Sequence, residues 1–96
     1  MSEFFKKKYN FKNKNVLITG GLGNIGFELS KILYNEKANL IITDDLKNNL
    51  QLGKKLSFFK KKNKISFYNC DLSSSKDKKR FFNDIKKKYK VIDILI

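Results

Sequence analysis

Asn15-Val16-Leu17-Ile18-Thr19-Gly20-Gly21-Leu22-Gly23-Asn24-Ile25-Gly26 is the stretch on which the reading of the fold turns. Residues 15–19 form a short, mostly apolar run that ends abruptly in glycines. A run without polar alternation predicts a strand buried on both faces, as in parallel sheets. After the glycines, Ile25, Leu29, Ile32 and Leu33 recur at helical spacing, which predicts a helix to about Asn35. Strand, glycine turn and helix together open a β-α-β unit.

Outward from this unit the alternation continues. Upstream lies a basic lead-in, residues 1–14, with no clear period. Downstream, Leu40 to Thr43 reads as a second buried strand closed by Asp44-Asp45. A second helix is predicted from about Leu46 to Lys62, with Leu46, Leu50, Leu56 and Phe59 turned inward and Gly53 weakening its middle. Ile65 to Cys70 reads as a third strand. Asp71-Leu72 and a serine run follow, and Ser74 with Asp77 makes a capping-box-like start to a third helix. Phe81, Phe82, Ile85 and Tyr89 are its predicted inner face, and Val91 to Ile96 a fourth strand. The order β-α-β-α-β-α-β specifies an α/β protein, a Rossmann-type three-layer α/β/α sandwich around a parallel sheet. All 96 residues fall in one partial domain, and no repeat or linker divides it.

The glycines carry the chemistry. Gly20, Gly23 and Gly26 stand three apart. In a strand-to-helix turn the first permits the tight bend, the second leaves room for a pyrophosphate, and the third allows close packing of the helix on the sheet. The helix start, at Asn24 and Ile25, then offers N–H groups and a partial positive charge to phosphates. A phosphate-binding P-loop would need Gly-Lys-Ser/Thr, whereas Gly26 is followed by Phe27-Glu28. Methyltransferases share an acid at the second strand but usually carry another before their glycines, where this chain has Thr19.

These residues resemble the N-terminal part of the short-chain dehydrogenase/reductase family. The glycine spacing matches its TGxxGxxG form, typical of extended, sugar-nucleotide-modifying members and present in some of ordinary length. The resemblance covers roughly residues 12–96. It implies that Asp44 holds the adenosine ribose, that Asp71 and Leu72 contact the adenine, and that residues 92–96 are the family's fourth strand. A carboxylate at Asp44 favours NAD, whose ribose hydroxyls it accepts, over NADP, whose 2′-phosphate it repels. Lys47 is the one nearby cation able to welcome that phosphate. Two plainer readings stay open: Asp44 as a helix cap and Asp71 as the closure of a turn.

Family catalysis rests on a Tyr-x-x-x-Lys pair, with a Ser or Thr assisting. Here Tyr9, Tyr34, Tyr68 and Tyr89 meet Asn13, Ala38, Leu72 and Asp93 four residues on. We therefore expect an oxidoreductase's cofactor-binding fragment, truncated in its fourth strand, with no catalytic residue and inactive alone. The resemblance implies a parent that transfers hydride between a nicotinamide and a small-molecule alcohol, ketone or sugar nucleotide, and it allows a homo-oligomer. The alternatives are a non-catalytic nucleotide-binding module and a basic nucleic-acid binder.

The formal charge of +13 raises the last of these. Yet Arg80 is the sole arginine among 22 basic residues, and base-reading proteins lean on arginine. A solvated lysine surface is the preferred reading. The chain lacks histidine, which excludes a His-based metal site or base within it. No apolar run reaches the roughly 18–20 residues of a membrane span. The single cysteine, Cys70, fits a reducing cytoplasm and reads as a small core residue.

Overall fold

The computed structural model describes residues 10–45, 52–60 and 64–96. The elements are β1 (Asn15–Thr19), α1 (Asn24–Asn35), β2 (Asn39–Asp44), α2 (Leu52–Ser57), β3 (Ile65–Asn69), α3 (Ser75–Lys88) and β4 (Ile94–Leu95). The strands form one sheet in the order β3-β2-β1-β4. Every pairing is parallel, with Leu17 opposite Ile41 and Leu95, and Ile41 opposite Ser66.

The burial of β1 and β2 explains their continuous apolar runs. Side chains alternate across a strand, so Val16, Ile18, Leu40 and Ile42 enter one core with Leu22, Leu33, Ala38 and Phe59. Leu17 and Ile41 enter a second core, on the other face, with Cys70, Phe81 and Ile85. The right-handed rule for parallel crossovers accounts for which helix takes which face. The steps β1 to β2 and β2 to β3 run the same way across the sheet, and α1 and the Leu56–Phe59 segment share the first core. The step from β3 to β4 runs back past β1, and α3 lies on the opposite face.

Two expectations are corrected. The second helix ends earlier than expected: among the described residues it spans Leu52–Ser57, and residues 58–60 are not helical, while Leu46, Leu50, Lys61 and Lys62 lie outside them. Ser57 Oγ donates to the Lys54 carbonyl at 2.6 Å, and Phe58 and Phe59 N–H reach back three residues, to Lys55 and Leu56. Such bonds tighten and end a helix. They also turn Phe59 into the core as the chain leaves the helix. Ile25, at the helix start read as the phosphate-facing end, is 85% exposed. Phe82 is 50% exposed; the buried stripe of α3 follows the four-residue spacing of Phe81, Ile85 and Tyr89, and its neighbour points away.

The predicted fourth strand narrows to Ile94–Leu95. Hydrogen bonds from Asp93 N to Asn15 O and from Ile96 N to Leu17 O extend its contact with β1 at 2.9 Å each. The capping of α3 is as expected, Ser74 Oγ accepting from Asp77 N.

The two phenylalanines separate core from surface. Phe59→Ala should cost about 3–5 kcal/mol and Phe82→Ala about 1 kcal/mol or less, measured by urea unfolding. Equal costs would contradict the packing described.

Candidate functional site

The turn between β1 and α1 is built by backbone. Gly20 has φ +62°, a left-handed conformation that costs a side-chain-bearing residue about 1–2 kcal/mol. Its carbonyl accepts from Gly23 N at 3.1 Å, and Gly23 O accepts the first helical bond from Phe27 N at 2.8 Å. Gly26 packs against the turn itself: a β-carbon there would strike the Gly20 carbonyl and crowd Gly21 Cα. The close contact expected between helix and sheet is thus made between helix and turn.

The turn is strapped to the end of β2. Gly21 N donates to Thr43 O at 3.3 Å, and Leu22 N donates to Asp44 Oδ2 at 3.0 Å. The Leu22 side chain is fully buried, and Lys55 Nζ donates to its carbonyl. Two residues unremarked in the sequence complete the seat. Ser30 Oγ, buried in mid-helix, lies 2.7 Å from Gly26 O and 3.2 Å from Gly21 O. Gly21 lies against Ile42, whose Cγ2 would be 2.5 Å from a β-carbon there. A serine on an apolar helical face was the available signal for the first. The second arises from a contact between distant residues.

No side chain caps α1 at Gly23, and no acid stands in its first turn. The N–H groups of Asn24, Ile25 and Gly26 therefore meet the helix's positive end without a neutralising group from the chain. A β-carbon on Gly23 would meet only Gly20 O, at an ordinary 3.4 Å. Space stands open on that side.

Beside the turn is a cleft of about 200 Å³ lined by Gly20, Thr43, Asp44, Asp45, Cys70 and Leu72. That is smaller than the roughly 300–1,000 Å³ of a complete ligand pocket and matches part of a ligand. The structure thus brings Gly20, Asp44 and Leu72 together. Asp44 Oδ1 also accepts from Asp45 N at 2.8 Å; each carboxylate oxygen has a second lone pair for another donor. Asp71 is occupied in a turn: Oδ1 accepts from Ser73 N at 3.0 Å and from Ser73 Oγ at 2.6 Å. Lys47 lies outside the described residues.

Larger cavities, of about 400 and 270 Å³, lie near the N-terminal ends of the strands, beside Lys12, Lys37, Lys64 and Lys88. Ligands of open α/β sheets bind outside the carboxyl ends, where strand order reverses. Here that reversal falls between β1 and β4, at the end that carries the glycine turn. Position outweighs volume, and the smaller cleft is the candidate site. Among the described residues no cluster of acids and cysteine is arranged to hold a metal, and no helix is long and apolar enough to cross a membrane.

Fold and turn together define a dinucleotide-binding α/β protein. The family model for short chain dehydrogenases matches residues 14–96, and the chain belongs to that family. It is 30% identical over 82 residues to short-chain dehydrogenase reductase 3a of Arabidopsis thaliana, covering 85% of this chain and 31% of the relative. Alcohol dehydrogenase 1 of Ceratitis cosyra is 30% identical over 83 residues, covering 86% of this chain and 32% of the relative. Among solved structures, a short chain dehydrogenase of Leptospira borgpetersenii with bound NAD+ superposes with TM-score 0.72 at 28% identity, over 99% of this chain and 33% of that one. A Brucella melitensis short-chain dehydrogenase/reductase, 24% identical with TM-score 0.75 over 91% of this chain and 36% of its own, shares the fold. The chain spans about a third of the length of these relatives.

Burial, followed by the charge of Asp77, pushes the Cys70 thiol above its ordinary value. Burial, followed by Tyr89, does the same for the Tyr68 phenol. On unfolding, each group loses its proton at a lower pH, so above about pH 9 the unfolded state binds fewer protons and stability falls as pH rises. Cys70→Ala should flatten the first part of that decline in a series of thermal melts. An unchanged slope would remove Cys70 as its source.

Proposed function

We propose that this chain is the cofactor-binding portion of an NAD-dependent oxidoreductase, with the substrate pocket and a Tyr-x-x-x-Lys pair supplied by sequence outside it. Membership of the short-chain dehydrogenases gives the class, and the family binds a nicotinamide dinucleotide. The observation that carries the assignment to these residues is the open space over Gly23, beside the uncapped start of α1. A pyrophosphate seated there accepts hydrogen bonds from the N–H groups of the first turn, Asn24, Ile25 and Gly26 among them. Gly20 and Gly26 hold that turn in place.

Asp44 accepts hydrogen bonds from the ribose hydroxyls while its other contacts keep it fixed against Leu22. Its negative charge disfavours a 2′-phosphate, which supports NAD over NADP. Leu72 covers the adenine with its apolar side chain, 39% exposed at the cleft. Asp71 shapes this wall through its turn. When bound, the nicotinamide would accept or donate hydride; the residues of this chain bind and orient its adenosine and pyrophosphate end. A buried, protonated Cys70 suits a reducing cytoplasm.

The test separates folding from binding, in the protein as expressed from its native gene. Gly23 has φ −73° and free space, so Gly23→Ala should keep its thermal midpoint within a few degrees while NAD affinity falls at least about tenfold by calorimetry. Unchanged affinity would place the pyrophosphate elsewhere. Asp44→Asn keeps an acceptor for Leu22 N but removes the charge. It should weaken NAD by roughly 3- to 10-fold and narrow the preference of NAD over NADP. A wild-type protein that binds NADP as well as NAD would refute the assigned role of Asp44.

A further inference from the structure

Thr43, the penultimate residue of β2, holds the one buried side-chain oxygen without a hydrogen bond among the described residues. The residue is 1% exposed. Strand alternation sets its side chain on the same face as Ile41, toward α3. Its backbone is engaged, the carbonyl accepting from Gly21 N and the residue pairing with Thr19 and Tyr68 across the ladder. The Cys70 thiol is its polar neighbour, close enough for the hydroxyl to favour the thiolate, though not at hydrogen-bond geometry. A thiol is a weak partner in any case.

A buried hydroxyl with no partner is costly. Valine has the same branching and shape and would carry no such penalty at this position. The residue also borders the space where a ligand would come: Thr43 and Cys70 line the cleft with Gly20, Asp44, Asp45 and Leu72. Asp44, the next residue, faces the glycine turn through its hydrogen bond to Leu22 N. The two residues thus address the cleft from adjacent positions on one strand, with different chemistry: Asp44 as a charged acceptor, Thr43 as a neutral group that both donates and accepts.

We propose that the Thr43 hydroxyl is a nucleotide-binding group, hydrogen-bonding the adenosine end of the dinucleotide directly or through one held water. The proposal rests on the reading of the cleft as a dinucleotide site. It adds a position to that site that no glycine or acid pattern marks. Thr43 contributes no chemistry to the reaction; it selects for a ligand able to satisfy a buried hydroxyl at the floor of the cleft.

The experiment compares Thr43→Val and Thr43→Ser with wild type, in the protein as expressed from its native gene. Thermal midpoints are measured without ligand, and NAD and ADP-ribose affinities by calorimetry. Thr43→Val should melt at the wild-type temperature or above, since it removes an unsatisfied group, yet bind NAD about 3- to 10-fold more weakly. ADP-ribose, which lacks the nicotinamide, should show the same loss. Thr43→Ser should retain most of the affinity.

Undiminished binding by Thr43→Val overturns the proposal. So does a marked fall in its ligand-free melting temperature, which would show that the hydroxyl serves the fold. A loss seen with NAD but not with ADP-ribose overturns the placement at the adenosine end. A wild-type protein that binds neither NAD nor NADP overturns the dinucleotide reading itself, and that failure is visible before any variant is made.

Discussion

The strap between the glycine turn and the end of β2 is the constraint on which the site depends. Two neighbouring N–H groups, of Gly21 and Leu22, are taken by the Thr43 carbonyl and the Asp44 carboxylate. The buried Leu22 side chain pins the same loop from within. With the loop held, the left-handed Gly20 can reverse the chain and Gly26 can rest on it, which fixes where α1 begins. The polarity of that helix start follows from its position, and the binding role proposed for it follows from its polarity.

The topology supplies the other half. Because β1 and β2 are buried on both faces, their ends are held rigidly by two separate cores. The reversal of strand order beside β1 leaves the turn at an open crevice. Surface charge contributes little to this frame. Two ion pairs, Lys31 with Glu28 and Arg80 with Asp77, are one-turn pairs on helix surfaces, and such pairs contribute about 0.5 kcal/mol or less each.

Much of the fold was legible in the sequence because its signals are local. The runs at residues 15–19 and 40–43 are apolar enough to require burial on both sides, and the glycines between strand and helix admit few geometries. What failed was the width of contact. Helical periodicity places Phe82 near an apolar stripe but cannot say how broad a stripe the sheet will cover. The second helix failed for a similar reason, since Phe59 is drawn inward by packing after Ser57 has ended the helix. In the candidate site, Gly20, Asp44 and Leu72 line one cleft, the last two having been picked out by the family resemblance. Ser30, Gly21 and Thr43 gave no comparable signal, because each matters through residues distant in sequence or through a partner it lacks.

The contact of Gly26 with Gly20 has an evolutionary consequence. The seat at the start of α1 presents mostly main chain: a bend, a carbonyl and a row of amide groups, with the buried Ser30 hydroxyl bridging helix and turn. Main-chain groups are the same whatever residues a genome favours. Composition can therefore drift far toward lysine over the exterior, to a net charge of +13, while the seat keeps its shape as long as a few positions stay without a β-carbon.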